Sequence, residues 1–106
     1  MKTKDFNKVV QQRLKKTNDT LFFKANEYAR GDRLSNFKQI AHLLGVTPEK
    51  ALVGLVAKHI VALVDFVNDI DDGKVQSYDR WDEKIGDIIC YSILLDAMIQ
   101  ERLKRK

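Results

Sequence analysis

Apolar residues recur at helical spacing along almost the whole chain. Phe6, Val10, Leu14, Leu21, Ala25 and Tyr28 stand three, four or seven positions apart, which predicts one long amphipathic helix over about Asp5 to Ala29. The polar patch Thr17-Asn18-Asp19-Thr20 competes for backbone hydrogen bonds and predicts a weak point or kink in its middle. Arg30-Gly31-Asp32-Arg33 reads as a turn, with Gly31 suited to a left-handed conformation past a helix end. Ser35 is placed to cap a short second helix with Phe37, Ile40, Ala41 and Leu44 inward, and Gly45 stops it.

Thr47-Pro48-Glu49 is a strong start signal for a third helix. The threonine can cap, proline at the first helical position loses no hydrogen bond, and the acid favours the positive helix pole. This helix runs to Ile70 or Asp71, where Gly73 supplies the end. Ser77 or Asp79 caps a fourth helix through Trp81, Ile85, Ile88, Ser92, Leu95 and Ile99 toward the basic tail. The expectation is an all-α, four-helix bundle-like fold in which residues 1–106 form one domain.

The third and fourth helices carry apolar residues around most of their circumference, over Leu52 to Ile70 and Ile85 to Ile99. A chain of this length has little interior in which to hide both. The spare surface predicts burial against another copy, as a dimer or a tetramer. Lys58, His59, Asp65 and Asp69 interrupt the longest apolar region, so a bilayer span is not expected.

Composition narrows the classes further. The net charge is +4, but many of the basic residues cluster in Lys15-Lys16 and in Arg102, Lys104, Arg105 and Lys106, which gives little support for nucleic acid binding. Cys90 is the one cysteine and sits in an apolar run, where it reads as a small buried hydrophobe in a reducing compartment. Met1 to Val10 carries no apolar run of signal-peptide length. A cytoplasmic protein is expected.

Candidate chemistry begins with acids on apolar helices. Glu83 and Asp87 stand one helical turn apart on a face that continues through Tyr91, Leu94 and Met98. Burying an unpaired carboxylate costs several kcal/mol, so Asp87 needs a cation, a donor cluster, a metal or a cleft. Lys58, Asp65 and Asp69 share one face of the third helix. If that face meets the start of the fourth helix, Asp65, Asp69, Glu83 and Asp87 converge as hard oxygen ligands for Mg²⁺, with Lys58 beside a phosphate. The competing reading makes them structural ion pairs and solvated helix-end charges.

A second cluster surrounds the first turn, with Lys24, Tyr28, Arg30, Arg33, Asn36 and Lys38. Its cations could hold phosphates and its tyrosine could stack on a base, although any exposed helix junction offers similar residues. His42 and His59 read as structural histidines. No phosphate-cradling glycine loop, nucleophile elbow, paired-cysteine zinc pattern or DNA-reading helix-turn-helix motif is present.

The strings Lys24-Ala25-Asn26-Glu27-Tyr28, Gly31-Asp32 and Ser35-Asn36-Phe37-Lys38, then Thr47-Pro48-Glu49, Lys58-His59, Asp65 and Trp81 through Asp87 with Tyr91, resemble phage and prophage nucleotide-modification-associated, MazG-like proteins over about residues 20–100. The resemblance implies an all-α nucleoside triphosphate pyrophosphatase-like fold, usually oligomeric, with acids on two helices binding Mg²⁺ for pyrophosphate release. It also implies a host cytoplasm. The departures are specific: Lys84 stands where the second acidic motif of that family has glutamate, Glu83 is displaced by one, and Asp65 and Asp69 are four apart instead of three. The expected function is therefore a nucleotide-handling protein, with Mg²⁺-dependent nucleoside triphosphate pyrophosphohydrolysis as its active form. The alternative is a non-catalytic helical module of phage origin that binds a nucleotide or a host protein.

Overall fold

In the computed structural model, which describes residues 1–27 and 31–104 and the side chains of all of these except residues 23–27, every regular element is a helix. The order is α1 (Thr3–Glu27), α2 (Ser35–Leu44), α3 (Pro48–Asp71) and α4 (Tyr78–Lys104). The chain divides into two compact units, Met1–Arg33 and Leu34–Lys106.

The first unit is α1. It runs without interruption through Thr17 to Thr20, so the expected weak point does not break it. Just there the Lys15 ammonium lies 2.9 Å from the Asp19 carboxylate, one turn on. Such a pair supports a helix across a stretch of poor intrinsic propensity, and the carboxylate raises the Lys15 pKa above its ordinary value through a hydrogen bond and its charge. The expected end at Ala29 lies outside the described residues.

The second unit holds the core. α2 packs on α3, and α3 packs on α4. Leu34, Phe37, Leu52 and Met98 are buried together, with Leu55, Val56, Tyr91, Leu94 and Leu95 packed around them. α2 begins one residue differently from the sequence expectation: Leu34 occupies the cap, with no side-chain hydrogen bond, and Ser35 is the first helical residue. The reason is packing, since Leu34 is only 6% exposed and the burial of a leucine outweighs a surface cap of about 1 kcal/mol.

At the other end Gly45 takes a left-handed conformation, φ +66°, and the Val46 N–H donates back to the Ala41 carbonyl. This closure satisfies a carbonyl that the helix would leave open. α3 starts as its signal predicts, with Thr47 Oγ1 accepting from the Lys50 N–H at 3.2 Å and Pro48 in the first turn.

α3 turns Leu52, Leu55, Val56, His59 and Phe66 inward, in the helical rhythm. Its opposite side is bare. Val53, Ile60, Val61, Val64 and Val67 are 48–59% exposed. By length and composition α3 could cross a membrane, a test that core helices of other proteins also pass.

Candidate functional site

Among the described residues of the second unit the polar side chains form separate groupings, and none is the acidic convergence expected from helical phase. The first lies between α3 and α4. His59 is 6% exposed because its position follows Leu52, Leu55 and Val56 on the inward face of α3. Its ring stacks obliquely on Tyr91, centroids 5.7 Å apart, and Tyr91 meets Phe37 edge-on at 6.3 Å. The His59 Nδ1 atom stands 3.6 Å from the Asp87 carboxylate and makes no hydrogen bond. Asp87 therefore faces a histidine across the interhelical seam, with its side chain 32% exposed.

The remaining expected ligands have separate surroundings. Glu83 is exposed and lies 3.7 Å from Lys84, so the residue that departs from the resembled motif turns toward its neighbouring acid. Asp69 accepts a hydrogen bond from Gln76 Nε2 at 2.9 Å, and Gln76 accepts one from Arg80 at 2.7 Å. That chain of bonds ties the end of α3 to the start of α4. Arg80 also lies over the Phe66 ring, 5.9 Å from its centroid, and Phe66 meets Trp81 edge-on at 5.2 Å. Asp65 and Lys58 are exposed on α3.

Among the described residues no three acid, histidine or cysteine side chains stand close enough to share a metal ion. A hard cation such as Mg²⁺ wants about six oxygen ligands, with several carboxylates or phosphates among them. One copy of this donor set, with the Lys84 ammonium beside Glu83, does not fit that demand.

The second grouping lines a pocket of about 240 Å³ between α2, the start of α3 and the end of α4, with Leu34, Pro48 and Met98 as its apolar wall. Lys38 reaches Glu101 at 2.8 Å. Arg102 grips Glu49 with two parallel bonds of 2.8 and 2.7 Å. The guanidinium holds the Glu49 carboxyl below its ordinary pKa, chiefly through those bonds, and Glu49 in turn raises that of Arg102. Both cations of this pocket are thus occupied by carboxylates of the same chain, and a phosphate would have to displace them.

Of the other residues expected near a nucleotide, Asn36 is exposed at the start of α2 and Arg33 is half-buried at the end of the first unit. Tyr28 and Arg30, and the Lys24 side chain on α1, lie outside the described residues. Sequence reasoning missed Glu49, Glu101 and Arg102 as a group. Their only local signal is Glu49 in the first turn of α3, and its partner comes 53 positions later. Comparisons with known protein families, curated proteins and solved structures find no match for this chain.

Proposed function

We propose that this chain is a non-catalytic helical binding module that works by docking through the outer face of α3. The observation that carries this reading is the row Val53, Ile60, Val61, Val64 and Val67, about half exposed on a helix whose other side is buried. Branched apolar residues in contiguous contact with water favour association, at roughly 25 cal/mol for each Å² covered. The separate pairing of Asp69 and Glu83 supports docking over turnover, because those carboxylates already serve contacts within the chain.

Asp87 favours a second reading, a nucleotide-handling Mg²⁺-dependent pyrophosphohydrolase. Its carboxylate is partly exposed between two helices, beside a buried histidine, which is where a reacting group would be held. The test is pyrophosphate release from a panel of ribo- and deoxyribonucleoside triphosphates with Mg²⁺ or Mn²⁺, run beside Asp87→Asn. Docking without chemistry gives no release. Metal-dependent release that disappears in Asp87→Asn would replace the first reading with the second.

A further inference from the structure

The outer face of α3 has an order along its length as well as an apolar character. Val53, Ala57, Ile60, Val64 and Val67 follow one another at spacings of four, three, four and three, and all are exposed. That alternation is the seam by which two helices interlock side chains. Continued by one step at each end, the seam reaches Lys50 in the first turn and Asp71 at the last residue of the helix, both exposed.

Those end charges sit badly in a single copy. A lysine in the first helical turn lies at the positive pole of the helix, and an aspartate at the last residue lies at the negative pole. Glu49 does not relieve Lys50, because its carboxylate is held by Arg102. Each misplaced charge would be well placed beside the opposite end of another α3.

We infer that the occupant of this face is a second copy of the chain, its α3 running antiparallel across the first about Ile60 and Val61. This rests on the docking reading above and names the partner. In that register Val53 of one copy meets Val67 of the other, Ala57 meets Val64, and Lys50 of each copy faces Asp71 of the other. A parallel pairing would set lysine against lysine and aspartate against aspartate, so the charges select the antiparallel form.

The test uses the full chain and two single charge reversals, Lys50→Asp and Asp71→Lys, with mass measured by light scattering after size exclusion over a range of concentrations. The wild type is expected at about twice the 12.3 kDa chain mass. Each reversal alone confronts like charges twice across the seam and weakens self-association about tenfold. Mixed in equal amounts, the two variants recover tight pairing as a heterodimer, because each supplies the charge that the other lacks. Ile60→Glu, at an exposed position, leaves the fold intact by circular dichroism and abolishes pairing.

A wild type that stays monomeric throughout overturns the inference, as does a dimer that Ile60→Glu leaves intact or a mixture of reversals that gains nothing. A monomer that floats with phosphatidylcholine vesicles assigns the face to a lipid surface and also overturns it. These failures are separable from failure of the functional reading. A monomer that releases no pyrophosphate removes only the second copy, whereas metal-dependent release removes the non-catalytic reading whatever the mass.

Discussion

Leu52→Ala and Val53→Ala delete similar groups from adjacent positions on α3, yet their expected costs differ several-fold. Leu52 is 1% exposed, packed in the cluster of Leu34, Phe37 and Met98. Truncation removes three carbon groups, worth about 2.4 kcal/mol at roughly 0.8 kcal/mol each. The space left behind adds a cavity cost that depends on how far the neighbours relax. With α2 and α4 each free to shift toward α3, partial collapse brings the total to about 3 kcal/mol. Val53 is 56% exposed, so its truncation in a monomer should cost less than about 0.5 kcal/mol.

The assay is urea unfolding followed through Trp81, the single tryptophan, whose ring rests on Phe66 across the α3–α4 seam. Both variants are made in the Ile60→Glu background, which confines the comparison to one copy. Equal destabilisation by the two substitutions, or a loss below about 1 kcal/mol for Leu52→Ala, would refute the assignment of inward and outward faces on α3.

Three further outcomes follow from local features. Gly45→Ala puts a side chain at φ +66° with no neighbour to stabilise it, and should lower stability by about 1 kcal/mol, read as a fall in thermal midpoint; an unchanged midpoint would contradict the left-handed cap. Thr47→Ala removes the acceptor for the Lys50 N–H and should cost about 1 kcal/mol, while Thr47→Ser, which keeps the oxygen, should recover most of it. The Arg102 clamp holds the Glu49 pKa below the ordinary value of 4.5, so its contribution is complete above that value and is lost as the pH falls through the lowered one. The melting difference between wild type and Arg102→Ala should therefore be constant near neutral pH and close in acid, and a gap that persists in acid would show that the arginine acts through packing.

Helix boundaries were legible wherever a residue's own chemistry determines the backbone. Thr47, Pro48 and Gly45 act within one turn of themselves, and the structure places each as their chemistry dictates. Ser35 misleads because a cap hydrogen bond is worth less than the burial of Leu34, and burial depends on helices that lie far away in sequence. The candidate site was less legible for the same reason. Helical phase puts Asp65 and Asp69 near one side of α3 but does not say which side α4 covers. α4 covers the side of His59 and Phe66, leaving Asp65 exposed and Asp69 bonded to the connection. His59 was readable as a buried structural residue, since apolar neighbours surround it, although its approach to Asp87 required the tertiary pairing.

The second unit is stitched together in chain order, α2 to α3 and α3 to α4, and this bears on how fast it forms. Contacts between successive helices close short loops and cost little chain entropy, so such a topology is expected to reach its folded state in microseconds to milliseconds. Two charged pairs bridge longer stretches of chain, Glu49–Arg102 across 53 positions and Lys38–Glu101 from α2 to α4. The Glu49–Arg102 clamp can close only after α3 and α4 have paired along their full length, and its loss should leave the folding limb of a chevron almost unchanged while speeding escape from the native state.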